Sequence, residues 1–239
     1  MNRCVAVVVR TLGDRPRMLV EALRSISNQD HPDTTAIVAW DGPGLPNFDA
    51  LDLCSEWVFP RGRWRTRAGN AGIKRALELD DVAYVTFLDD DDVIYPNHVS
   101  NLVSVLEGSQ AGVAYSDSCI VVGCDSENQH GERWKILDDD FSHDDLCNEC
   151  KRPNHSFLIR KGLLALEQFD QSLDVSEDWD LWVRLSCRTE FVHAPGVTAE
   201  YRHRLDGSNT TRRQKEACER AVAMNRARFK KFMMGGVTK

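Results

Sequence analysis

Residues 4–10 read Cys-Val-Ala-Val-Val-Val-Arg, a largely β-branched run with no polar alternation. A strand with one wet face alternates, so a strand without alternation must be covered on both faces, as central strands of parallel sheets are. The chain therefore needs helices on both sides of a sheet. Its next segments supply them. Asp14 and Pro16 are helix-start signals ahead of Leu19, Val20, Leu23 and Ile26, which recur at helical spacing. "AIVAW" (residues 36–40) follows as a strand and is closed by the turn residues Asp41-Gly42-Pro43-Gly44. The β-α-β unit then continues with a helix over "GNAGIKRALEL", a strand over "VAYVTFL" (residues 82–88), and a helix opened by Pro96 with Val99, Leu102, Val103 and Leu106 on one face. "AGVAYS" and "CIVVG" add two short strands. Such alternation predicts the α/β class, with a mostly parallel central sheet, right-handed crossovers and flanking helices.

Residues 125–153 change character: the segment is polar, acidic and poorly periodic, and reads as a long excursion or lid. Beyond it, "SEDWDLWVRLS" predicts a helix capped by Ser176, and residues 212–231 a charged helix. The apolar positions of that last helix form no clean stripe, which suits packing or self-association into a homo-oligomer rather than membrane binding. With 239 residues and 42% hydrophobic content, the chain can bury the core of one large domain or of two intimate halves. A net charge of −7 weighs against broad binding to nucleic acid or an anionic membrane surface. The first apolar run is too short for a signal core or a membrane span, so the expectation is a cytoplasmic enzyme with no integral membrane segment. Eight cysteines lie scattered without a tight framework, as reduced thiols do. Cys147 and Cys150, flanked by His143 and His155, are either free thiols or two thiolates and two imidazoles of a zinc site.

The chemistry concentrates in "FLDDDDVIYP", where Asp89, Asp90, Asp91 and Asp92 follow an apolar strand directly. An isolated charge run is ordinarily a solvated turn, but the carboxyl end of a strand is where open α/β sheets bind ligands. Carboxylates there suit Mg²⁺ or Mn²⁺, which complete their shells with water and phosphate oxygens. In "RGRWRTRAGNAG", four arginines (61, 63, 65 and 67) precede a helix whose amino end carries Gly69, Asn70 and Gly72. Guanidinium groups and a helix amino terminus both favour a diphosphate. Asp41 is either a turn residue before Gly42 or a carboxylate that accepts from an imide N–H such as uracil's. Glu177 and Asp178 are first-turn acids that complement a helix dipole. At helical spacing Asp178 shares a face with Leu181, Trp182 and Leu185, whereas Glu177 and Asp180 are placed to pair with Arg184. Asp178 then faces the apolar interior, where desolvation raises a carboxyl pKa and makes a better general base.

In their order and spacing, "VAVVVRTLGDRP", "IVAWDGPG", "AGNAGIKRAL", "FLDDDDVIYP" and "EDWDLWVRL" together resemble the inverting family 2 glycosyltransferases of GT-A fold, which use nucleotide-sugar donors. The resemblance covers most of residues 4–210. It implies a GT-A (Rossmann-like) domain with a nucleotide-sugar-binding half over residues 1–116 and an acceptor and catalytic half over 117–211. Residues 212–239 are then a charged helical tail. The resemblance also implies roles for single residues. Thr11 lines the nucleoside pocket, and Asp41 holds the base, with Trp40 standing where many members have a second acid. Arg67 reaches the diphosphate. Asp89 faces the ribose or the metal with Asp90 beside it, and Asp91 coordinates the Mn²⁺ or Mg²⁺ that bridges the donor phosphates. Asp178 is the catalytic base, and His203 in "AEYRHRLDGSNTT" reaches the metal or the diphosphate. The implied activity is metal-dependent, inverting transfer from a nucleoside-diphosphate sugar, a UDP-sugar being favoured, to a hydroxyl of a glycan, glycolipid or protein. Two other readings stand beside it. One is a haloacid-dehalogenase-like phosphatase with Asp89 of Asp89-x-Asp91 as nucleophile, although its motif belongs on a first strand and two strands precede it here. The other is a non-catalytic module that binds a nucleotide sugar or a glycan.

Overall fold

Strand β1 (Cys4–Thr11) lies between β2 (Thr34–Trp40) and β4 (Val82–Asp89), parallel to both. This computed structural model describes residues 4–43, 56–60, 62, 65–124, 131–140, 142–173, 175–204 and 215–234. The two-sided burial expected of β1 is built by its alternation. Val5, Val7 and Val9 face α1 (Pro16–Ser27), through Leu19, Leu23 and Ile26, and α3 (His98–Glu107), through Val99, Leu102 and Leu106. Ala6 and Val8 face the other way, toward Ile73 and Ala76 of α2 (Arg65–Glu78) and Leu181, Trp182 and Leu185 of α6 (Glu177–Ser186). Each buried Val, Leu or Ile among them contributes about 1.5–3 kcal/mol of transfer free energy. Helix α2 comes unusually close. A Cβ at residue 72 would stand 2.3 Å from a Val8 methyl carbon, so only glycine permits the approach.

β3 (Glu56–Val58) extends the sheet in parallel beyond β2. On the other side of β4 the strand direction reverses. β8 (Phe157–Arg160) runs antiparallel to both β4 and β6 (Val113–Val122), β9 (Phe191–His203) lies parallel to β6, and β5 (Val93–Ile94) closes that edge antiparallel to β9. The order is β3-β2-β1-β4-β8-β6-β9-β5, with β7 (Glu132–Leu137) paired to β6 off this path.

Residues 113–122 form one strand, not the two short ones expected. The polar centre Ser116-Asp117-Ser118 that broke the pattern is buried, and two of its side chains are partnered: Gly196 N–H donates to Asp117 at 2.7 Å, and Ser118 shares a hydrogen bond with Ser156 at 3.0 Å. The supposed excursion contains β7, whose Trp134 and Ile136 are exposed, and α4 (His143–Asn148), capped reciprocally by Ser142 and Asp145. Residues 125–130 and 141 of that segment lie outside the described residues. Helix α3 begins at His98 rather than at Pro96. After the short α5 (Lys161–Leu164), the chain ends in α7 (Lys215–Met234). Phe229 of α7 is fully buried, with its ring centroid 5.5 Å from that of Trp179, so the charged tail packs onto the core. Among the described residues no helix is long and apolar enough to cross a membrane.

Candidate active site

Because β2, β1 and β4 are parallel and in register, their carboxyl ends stand side by side, with Thr11 opposite Trp40 and Arg10 opposite Asp89. The Asp41 N–H donates to the Thr11 carbonyl at 2.9 Å, which carries Asp41 onto the same edge. Asp41, Thr11, Asp89, Asp90 and Asp91 thereby line one wall of a cavity of about 600 Å³, a size that admits a cofactor or nucleotide. The first turn of α6 brings Glu177 and Asp178 to the same cavity as a second, helix-borne wall, and residues 148–154 with Val222 and Arg226 of α7 close the rest.

Guanidinium groups organise the acids. Arg10 ends an apolar strand and is buried, yet it donates to Asp89 and to Glu177, each at 2.8 Å, and so ties β4 to the start of α6. Arg65 stands 3.5 Å from Asp89 and 3.6 Å from Glu177. Burial alone would raise the Asp89 carboxyl; the guanidiniums of Arg10 and Arg65 outweigh it and hold Asp89 well below the usual carboxylate range. Arg15 pairs with Asp90 at 2.6 Å and with Asp91 at 2.7 Å, and Arg204 also pairs with Asp91. Asp90 accepts from the Thr11 hydroxyl at 2.5 Å; burial raises its pKa against the pull of Arg15.

Asp178 stands in a different field. Burial and the neighbouring Glu177 carboxylate push its pKa up to about 6, with Arg10 opposing them. Its carboxylate accepts the N–H of Trp179 at 2.8 Å and lines the cavity. The residue before this pair, Ser176, has φ 58, the one left-handed non-glycine among the described residues. Its carbonyl accepts from Asp180 N–H at 3.2 Å and from Asn225 of α7 at 3.3 Å, and these bonds hold the turn in place.

Several expectations change. Ser176 occupies the cap position of α6 but makes no side-chain cap bond. Asp180 pairs with Arg184 at 2.8 Å as expected, whereas Glu177 does not, being seven residues and so about 10.5 Å along the axis from Arg184. Asp178 lines the cavity, while Leu181, Trp182 and Leu185 on the same face are fully buried. Arg67 is exposed and does not line the cavity; Arg65 does. His203 does not line it either: its ring packs edge-on against Tyr201, and the cavity receives Tyr201, Arg202 and Arg204 instead. Asp92, the fourth acid, stands apart from the cavity. It is buried and accepts from the Arg202 N–H at 2.8 Å, with His155 Nδ1 at 3.2 Å, which pins β9 to the acidic turn. That use of His155 separates it from the candidate zinc ligands, and burial pushes the Cys147 and Cys150 thiols up to about 11 and about 12. Both cysteines are free.

The acids fit a divalent cation of one particular kind. Among the described residues there is no group of three His, Cys, Asp or Glu side chains able to cage a metal. One or two carboxylates at the mouth of a polar cavity match a cation whose remaining ligands are water and phosphate. Asp91 and Asp89, which both line the cavity, would be the carboxylates available to such a shared ion, and the charge of Asp91 is meanwhile met by Arg15 and Arg204.

Parallel strand ends and a helix-borne carboxylate lining one nucleotide-sized cavity, on a sheet flanked by helices, define a Rossmann-like domain of GT-A type. The model of glycosyltransferase family 2 matches residues 6–165, and the chain belongs to that family. An uncharacterized glycosyltransferase of Methanocaldococcus jannaschii is 22% identical over 193 residues, covering 75% of this chain and 63% of the relative. Among solved structures, S. aureus TarS residues 1–349 in complex with UDP-GlcNAc superposes with a TM-score of 0.66 at 14% identity, over 93% of this chain and 66% of that one. The UDP complex of the same protein gives 0.64 at 15% identity, over 84% and 60%. The chain thus spans less than two thirds of these relatives' own lengths. Family membership selects the transferase class over the phosphatase reading of Asp89-x-Asp91.

Proposed function

We propose that this domain transfers a sugar from a UDP-sugar to an acceptor hydroxyl, with inversion at the anomeric carbon and with a divalent cation. The observation that carries the reading is the convergence of Asp41, Thr11 and Asp89–Asp91 with Asp178 on one cavity. Asp41 accepts the imide N–H of the base, and Asp89, rigidly ionised, accepts from the ribose hydroxyls. Asp91 would hold the divalent cation, which would supply Lewis-acid stabilisation of the leaving group. Arg65, with Arg15 and Arg204 nearby, adds positive charge where the leaving UDP gathers negative charge. Asp178 takes the proton from the acceptor hydroxyl as that oxygen attacks from the face opposite the diphosphate. A single displacement inverts the configuration, and no side chain forms a covalent intermediate.

The test is calorimetric binding of UDP, GDP, dTDP and CDP with and without Mn²⁺, followed by transfer from the matching donor. UDP binding strengthened by Mn²⁺ and weakened in Asp91→Ala supports the reading, and absence of binding by all four nucleotides sinks it. Donor binding in the parent with no transfer to any glycan, lipid or protein acceptor would favour the non-catalytic module.

A further inference from the structure

The segment closing the cavity between its two acidic walls runs from Cys150 to Asn154. At one end, the Cys150 thiol lies within electrostatic reach of Asp178. At the other, His155, the residue after Asn154, stands 3.2 Å from Asp92, the residue after Asp91. The segment therefore bridges the interval between the general base and the carboxylates assigned to the diphosphate. A sugar undergoing transfer must lie in that interval, since its anomeric carbon joins the two ends.

Asn154 lines the cavity there and is 4% exposed, and neither its Oδ1 nor its Nδ2 has a hydrogen-bond partner among the described residues. The contrast with its neighbours is local and sharp. His155 and Ser156 are equally buried, and each is bonded: His155 to Asp92 and Ser118, Ser156 to Ser118. Buried amides are nearly always partnered, because leaving both ends unmet costs stability that a fold does not otherwise retain. An amide carries one acceptor and a pair of donors a fixed distance apart, which matches two neighbouring ring hydroxyls, one donating and one accepting.

We propose that Asn154 reads the transferred sugar, its carbonyl accepting from one ring hydroxyl and its amide N–H donating to the next. The proposal rests on the UDP-sugar reading above. It makes residue 154 a determinant of which sugar is used, separate from the residues that hold the nucleotide. A site built to bond a hydroxyl discriminates strongly against a sugar that lacks it or turns it away.

The experiment compares the parent with Asn154→Leu, close in shape, and Asn154→Ala. For each, calorimetry with Mn²⁺ gives affinities for UDP, UDP-N-acetylglucosamine, UDP-glucose and UDP-galactose, and thermal unfolding is recorded alongside. The expected result is UDP affinity unchanged in both variants, while the ratio of UDP-sugar to UDP affinity falls about tenfold for the parent's preferred sugar. Asn154→Leu should melt no lower than the parent, since it removes an unmet buried polar group. Equal UDP-sugar to UDP ratios in parent and variants overturn the proposal. So does a lower melting temperature with UDP binding lost in step, which marks a purely structural asparagine. A parent that binds no UDP instead overturns the donor reading itself, so the two failures are distinguishable.

Discussion

The two acidic walls of the cavity use the same side chain to opposite ends. At the strand ends, Asp89 is flanked by Arg10 and Arg65 and stays ionised far below neutrality. At the start of α6, burial and the neighbouring Glu177 carboxylate push Asp178 up to about 6. Both are desolvated, so burial does not separate them; the sign of the adjacent charge does. On the strand-end wall Asp89 keeps its charge beside two guanidinium groups, while the buried Asp90 is raised to about 6 against the pull of Arg15. The other leaves one carboxylate with an appetite for a proton near neutral pH, which is the property a general base requires. Arg10 connects the two, since it donates to Asp89 and to Glu177 at once.

The sharpest way to separate the walls is Asp178→Asn, which should lower transfer by about 10²–10⁴-fold while UDP affinity stays at the parent value. Loss of UDP binding in that variant would put Asp178 on the donor wall. Asp91→Ala should show the reverse pattern, with transfer down roughly 10²–10³-fold and Mn²⁺ no longer strengthening UDP binding in calorimetry. Removing the shared cation with Arg10→Met breaks a buried pair at both ends and should destabilise the fold by about 3–5 kcal/mol in denaturant unfolding. It also removes an attraction that lowers Asp178, so in the folded fraction the midpoint of the pH–rate profile should move above the parent's. That parental profile follows from the same carboxyl. Asp178 acts deprotonated, so kcat/KM should rise tenfold per pH unit and level off above about 6. The smallest effect belongs to Glu177→Gln, which removes a repulsion and should shift that midpoint downward by less than about one unit. An upward shift would mean that Glu177 acts chiefly by anchoring Arg10.

Much of the donor wall was legible because parallel strands convert sequence directly into position. An apolar run followed by acids fixes both burial and the end at which the acids emerge, so Asp41, Thr11 and Asp89–Asp91 reach one edge as expected. Helical phase was harder to read. Arg65 and Arg67 are two positions apart, about 200° around a helix, so only one can face the cavity, and a run of polar residues does not reveal where the first turn begins. Distance along the axis was the other omission: Glu177 and Arg184 share a direction but not a turn. Arg10 could have been noticed as a cation closing a strand otherwise buried on both faces. The single long strand β6 was hidden because Ser116, Asp117 and Ser118 interrupt the apolar pattern, and their burial depends on partners far along the chain.

The reversal of strand direction at β8 has a consequence for how such a chain can change over generations. Asp41, Thr11 and Asp89 keep their places through the pairing of β2, β1 and β4, none of which depends on residues 148–154 or on α7. Substitutions and insertions in those outer segments can therefore remodel one side of the cavity without disturbing the pairing that sets the other. New partners become a matter of local editing, and the machinery inherited with the sheet need not be invented twice.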